Sequence, residues 1–191
     1  PPRSTLLPTT TLFRSVALTI FEMNERDIAA ALEERRLDVA LMTSHTLWPH
    51  AAAMPIYREQ LVVALPSGHA LAERGILDWV ALVDETILVQ GWDDSQSARE
   101  FYASFLGSGA KYHAHAASKQ SIFALVAAGF GVTLATQSQA EAAFPGVVFR
   151  SVVDTNAWVR IDLAWMPEVE NAVVGRFVAF MRDEARSRNL L

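Results

Sequence analysis

Cysteine is absent from the 191 residues, which excludes disulfides and thiolate metal sites and fits a reducing compartment. Lysine is nearly absent too, at 2 residues against 14 scattered arginines, and the net charge is −5. No basic stripe therefore marks a nucleic-acid surface on this segment. The longest apolar run, residues 122–135, is too short to cross a bilayer and is broken by glycine and threonine. The chain opens without a charged-then-apolar leader, so secretion has no support, and it carries no repeats or low-complexity tails.

What is present suits a packed core. Apolar residues make up 51% of the chain and mean hydropathy is +0.19. The most informative stretch is SKQSIFALVAAGFGVTLA, residues 118–135. Ser118 can cap a helix whose Ile122, Leu125 and Val126 form one apolar stripe. Gly129 ends that helix, Gly131 lets the chain turn, and Val132, Thr133 and Leu134 read as a buried strand. A dinucleotide fingerprint follows a strand and opens a helix. Here Gly129 and Gly131 close a helix and open a strand, so that reading is rejected.

Elsewhere strands and helices alternate. Residues 16–22, VALTIFE, are strand formers; Asn24 then caps a helix with Glu25 and Asp27 in its first turn, and residues 37–42 return as a strand. This predicts a strand-helix-strand unit of the α/β kind. Residues 45–53 read as a loop in which Trp48 is either a lid or a packed residue. Strands are predicted at 61–65, 86–90, 111–117, 147–149 and 158–166, and helices at 78–82, 98–106, 118–129, 138–143 and around Val173 to Met181. In the strand at 158–166, Val159, Ile161, Leu163 and Trp165 face one way and Arg160 and Asp162 the other.

The polar loop GWDDSQS, residues 91–97, follows a strand and leads into a helix, with Ser97 and Glu100 spaced as a capping box. Ligands collect beyond the carboxyl ends of strands in open α/β sheets, and free N–H groups at a helix start attract anions. Ser95, Gln96 and Ser97 equally suit a plain helix cap. No activated nucleophile, GxSxG elbow, phosphate loop or HExxH motif occurs. Asp93 and Asp94 read as a turn, and His113 with His115 lacks a third metal ligand, so neither a catalytic set, a metal nor a cofactor is predicted.

Four stretches in order resemble one family: LLP at residues 6–8, LTIFEMNERDIAAALEERRLDVALM at 18–42, EQLVVALPSGHALA at 59–72 and SIFALVAAGFGVTLA at 121–135. The last is similar to the family pattern LVAAGxGVxLxP, with Thr136 where proline is usual, and the second to its strand-E-helix-GxLDxA unit. The family is the effector-binding domain of LysR-type transcriptional regulators, with the bilobed fold of type 2 periplasmic binding proteins. The resemblance implies an α/β fold of two Rossmann-like lobes joined by two crossover strands. Residues 1–58 and 157–191 would form lobe I and residues 59–156 lobe II, with a small effector between them.

Matched position by position, the resemblance places Asn24 and Glu25 on the lobe I wall of the cleft. It places Gln90, Trp92, Ser95, Gln96, Ser97 and Ala98 on the lobe II wall, with Ser118 and Lys119 at its edge. Three helix starts would converge, which suits a small carboxylate, and Trp92 would cover an apolar part. The resemblance further implies a cytoplasmic, non-enzymatic regulator acting as a homodimer or tetramer, with no membrane contact. The exposed side of the helix at residues 24–36 is a candidate subunit interface, or equally a solvated face. DNA would be bound only through a winged helix-turn-helix domain absent from this chain. A periplasmic solute-binding protein or a lyase on the same fold are the alternatives. Two departures suggest omitted segments: the chain opens after the family's first strand, and it is short between Arg14 and Ser15.

Overall fold

The computed structural model describes residues 18–23, 25–43, 50–91, 96–167, 171–188 and 190. The elements run α1 (Glu25–Glu33), β1 (Ala40–Thr43), β2 (Ala52–Pro66), β3 (Ile76–Leu77), β4 (Thr86–Gln90), α2 (Gln96–Leu106), β5 (Lys111–His115), α3 (Lys119–Ala127), β6 (Thr133–Thr136), α4 (Gln137–Glu141), β7 (Val147–Val152), β8 (Trp158–Trp165) and α5 (Ala172–Ser187). Short 3₁₀ turns occupy Ala70–Glu73 and Trp79–Leu82, the second capped by Asp78, whose side chain accepts from the Val80 N–H.

The 15-residue strand β2 belongs to both lobes. From Ala52 to Gln60 it pairs antiparallel with β8, which pairs in turn with β1. From Leu61 onward it pairs antiparallel with β6 on one edge and β7 on the other, and β7 carries the short parallel strand β3. A parallel bridge between Ile87 and Val132 adds β4, and β5 follows it in parallel. Lobe I is therefore built on β1-β8-β2, and lobe II on β5-β4-β6-β2-β7-β3.

Burial follows from this order. In lobe I, Leu32 on α1 packs against Ala40, Met42 and Ala164 on one face of the sheet. On the other face, Phe177, Val178, Met181 and Ala185 of α5 cover Ile56 and Leu163. Pro55 lacks an N–H to donate, and the β2–β8 register shifts between Pro55 and Tyr57, leaving Ile56 as a bulge residue turned into that core. In lobe II, Val63 and Leu65 sit with Ile87, Val89, Tyr102, Val132 and Leu134 in the largest apolar cluster.

Several sequence expectations need correction. Of the predicted strand at 16–22, residues 18–22 are described and form none; Leu18, Ile20 and Phe21 are 69%, 83% and 62% exposed. Strand formers adopt a ladder only beside a partner, and among the described residues β1 pairs with β8 alone. The loop at 45–53 is shorter than expected, because Ala52 and Ala53 already pair with β8; Trp48 lies outside the described residues. α2 starts at Gln96, so Ser97 lies inside the first turn instead of capping it, and the Gln96 amide donates to Glu100 at 2.7 Å. The strand expected over 111–117 ends at His115, and that expected over 147–149 continues to Val152.

The helix-glycine-strand stretch forms as read. Ser118 caps α3, its hydroxyl accepting from the Ser121 N–H at 3.2 Å, and Gly129 has φ +83°. Gly131 is required for a different reason. A Cβ there would run into the Thr86 carbonyl oxygen, because residues 86–88 lie alongside Val132 in the parallel bridge. At the end of α1, Arg35 takes φ +59° at the position of the glycine in the GxLDxA pattern. A left-handed non-glycine residue costs about 1–2 kcal/mol.

Two stability outcomes follow, both read by urea or thermal unfolding. Gly131→Ala should destabilise the fold by roughly 2–4 kcal/mol through the backbone clash, against about 1 kcal/mol for Gly129→Ala. Arg35→Gly should stabilise it by about 0.5–1 kcal/mol, and a loss of stability would contradict the strain assigned to that turn.

Candidate functional site

Strand directions place the site. Leu61 of β2 pairs with Thr136 at the carboxyl end of β6, just past the segment of β2 that pairs with β8. β6 therefore points back toward the crossover, and β4 and β5, parallel to it, point the same way. The starts of α2 and α3, which follow β4 and β5, share that edge of lobe II. In lobe I, β1 is antiparallel to β8 and ends at Thr43, opposite Ile161, so its carboxyl end also points toward the crossover.

Gln90 is the last residue of β4, in register with His115, and the Gly91 N–H donates to the His115 carbonyl at 3.1 Å. The Ala117 N–H reaches the same carbonyl, which turns the chain into Ser118 at the cap of α3. Gln90, Ser118 and Lys119 thus meet along one edge, with Gln96 exposed at the start of α2 and Ala98 half-buried against the lobe II core. Asn24, Trp92 and Ser95 lie outside the described residues, as do the side chains of Glu25 and Ser97, and Asp93 and Asp94. Among the described residues, no group of three His, Asp or Glu side chains could hold a metal ion.

Beneath this edge lies a polar node that the sequence reading missed. After the Leu88 N–H donates to Val132 O at 2.8 Å, β4 and β6 part, and side chains take over their pairing. Thr133 Oγ1 donates to the Leu88 carbonyl at 2.7 Å, and Tyr102 Oη lies 3.1 Å from Thr133 Oγ1. Lys119 Nζ donates to Leu134 O at 2.6 Å, with Tyr102 Oη at 3.2 Å and Thr133 Oγ1 at 3.4 Å. A carbonyl only accepts and an ammonium only donates, so Thr133 donates to Leu88 O at its shortest contact and Lys119 donates to Leu134 O and Tyr102 Oη. The Tyr102 hydroxyl has both Thr133 Oγ1 and, at 3.4 Å, Leu134 O within reach. Thr133 is 1% and Tyr102 7% exposed, so these bonds are shielded from water. Thr133 showed as one hydroxyl in an apolar strand, and Tyr102 was hidden in an apolar helical stripe.

The crossover carries its own contacts. The Arg58 guanidinium lies 4.9 Å from the Trp158 ring centroid, and the Leu61 N–H donates to Ala157 O at 2.8 Å. Ser138 Oγ, at the start of α4, donates to Glu59 at 2.8 Å. Burial, and then the Glu59 carboxylate, push the Tyr57 hydroxyl above its ordinary pKa. Further along β8, Arg160 donates twice to the buried Asp162, at 2.8 and 3.0 Å, and that bond raises the guanidinium's already high pKa.

The pattern of the LysR substrate binding domain matches residues 9–186, so the chain belongs to that family. It is a regulatory, ligand-binding domain of the LysR type. A "Probable hydrogen peroxide-inducible genes activator" of Mycobacterium avium is 32% identical over 127 residues, covering 64% of this chain and 40% of that protein. The chain thus spans less than half the length of that relative. Solved structures share the fold. The BenM effector binding domain with its effector benzoate has TM-score 0.74 at 20% identity, covering 95% of this chain and 84% of that one. The reduced OxyR regulatory domain from Pseudomonas aeruginosa gives 0.74 at 18%, covering 93% and 86%. The LysR family regulator CbnR gives 0.79 at 18%, covering 92% and 62%.

The node should be worth more than its surface position suggests. Thr133→Val leaves the Leu88 carbonyl without a partner and should cost roughly 1–3 kcal/mol in urea unfolding, with Tyr102→Phe nearer 1 kcal/mol. Two variants as stable as the parent chain would show the node to be dispensable.

Proposed function

We propose that this chain senses a small carboxylate in the cleft between its lobes and passes the event to a separate DNA-binding module of a cytoplasmic transcription regulator. The lobes divide at 58/59 and 156/157. The domain is not an enzyme and works as a homodimer or tetramer. The observation that carries the reading is the common direction of β4, β5 and β6, which sets two helix starts and three strand ends of lobe II at the crossover. Such an edge binds anions through free N–H groups and capping hydroxyls. Asn24 and Glu25 form the lobe I wall; Gln90, Trp92, Ser95, Gln96, Ser97, Ala98, Ser118 and Lys119 form the lobe II wall.

Binding is favoured over thiol oxidation as the signal. The OxyR domain is known in reduced and oxidised forms, and a C199D variant of it has been solved, whereas this chain has no cysteine to oxidise. Benzoate, the effector named for the BenM domain, is a small carboxylate of the class proposed. The effector acts by binding one lobe angle more tightly than another, which shifts the arrangement of subunits.

Screening small carboxylates by thermal shift tests the proposal. A ligand at about 100 times its Kd should stabilise the domain by roughly 2.7 kcal/mol. Ser97→Glu, which sets a negative charge at the start of α2, should remove that stabilisation. An unchanged shift in the variant would reject the assigned site.

A further inference from the structure

The chain has only two lysines, and they sit very differently. Lys111 lies on the exposed side of β5, its amine donating to Asp84 O at 3.2 Å. Lys119 is half-buried in the node, at the first position of α3. Every oxygen its ammonium touches is neutral: the Leu134 carbonyl and the hydroxyls of Tyr102 and Thr133. The rings of Phe123 and Tyr102 lie 5.6 and 6.0 Å from Nζ. Among the described residues no carboxylate forms an ion pair with it, although the chain as a whole is acidic.

The placement opposes two electrostatic preferences. A cation in the first turn of a helix meets the positive end of the backbone dipole, and a partly buried charge ordinarily takes a charged partner. Tyr102 and Thr133 hold the amine fixed without neutralising it. No described carboxylate therefore compensates the charge on the lobe II edge, where the ends of β4 and β6 open.

We propose that Lys119 sets the sign of the effector, with its fixed ammonium drawing a carboxylate to lobe II and discriminating against the neutral analogue of the same shape. This rests on the cleft reading above and deepens it by naming the residue responsible for charge selection. The neutral oxygens around Nζ are what make the selection effective, because among the described residues no carboxylate competes for the charge.

The test uses a panel of small carboxylates and their matched carboxamides against the intact chain, with affinities from thermal shift or calorimetry. Lys119→Met should lose about ten-fold or more in carboxylate affinity, while carboxamide affinity changes less than about two-fold. Lys119→Arg should retain carboxylate binding, and Lys111→Met should behave as the parent chain. Equal losses for acids and amides in Lys119→Met would mean that Lys119 acts only through the fold, and would overturn the inference alone. If Lys119→Met does not fold, ¹³Cε-labelled lysine in the parent chain decides. Its two resonances are assigned with Lys111→Arg; a bound carboxylate should shift the Lys119 signal and leave Lys111 in place, and a still Lys119 signal would overturn the inference. Failure of every acid and every amide to bind would instead overturn the cleft reading, and the inference with it.

Discussion

One strand that changes partners sets the geometry of the molecule. β2 runs unbroken from Ala52 to Pro66, pairing with β8 up to Gln60 and with β6 and β7 beyond it. Because these pairings are antiparallel, the direction of β2 dictates that β6 ends at the crossover and β8 begins there. β4 and β5, laid parallel to β6, inherit the same direction. The helix starts that follow them gather on one edge as a consequence. Function in this fold is thus tied to backbone polarity before any side chain is considered.

The parting of β4 and β6 is the second constraint. Gly131 allows the backbones of residues 86–88 and 131–132 to approach closely at one end, and the strands then separate. A gap between parallel strands leaves carbonyls that need donors. Thr133, Tyr102 and Lys119 supply them, and in doing so bring a fixed positive charge to the edge of the lobe. In the proposed sensing role, stability and ligand preference would share one arrangement: the oxygens that satisfy the lysine are neutral, and no described carboxylate pairs with it.

Much of the fold was legible in the sequence because the signals were local. The capping serine at 118 and the glycines at 129 and 131 each report on their own neighbourhood, and the structure follows them. Residues 158–165 form the strand expected, but burial alternates only as far as Ile161, and Asp162, Leu163 and Ala164 are all buried. Non-local features were harder to read. The length of β2 was not legible, because only its apolar end at 61–65 reads as a strand, while Pro55 breaks the pattern upstream and is accommodated beside a bulge. The strand formers at 18–22 found no ladder, because a strand is a property of two segments. The edge residues Gln90, Ser118 and Lys119 were predicted as a set through family resemblance, and strand polarity brings them to one edge. Tyr102 and Thr133 escaped because a hydroxyl inside an apolar stripe looks like core until its partner is known.

The proposed sensing requires an effector in the cleft to select one angle between lobes joined at β2 and β8. The lack of native cysteine makes that angle directly measurable. Asp183→Cys on α5 and Ala124→Cys on α3 are exposed positions in lobes I and II, and spin labels at both report the inter-lobe distance by pulsed electron resonance. With the carboxylate that gives the largest thermal shift, the distance distribution should move and narrow to one population. A distribution identical with and without a saturating ligand would contradict the account.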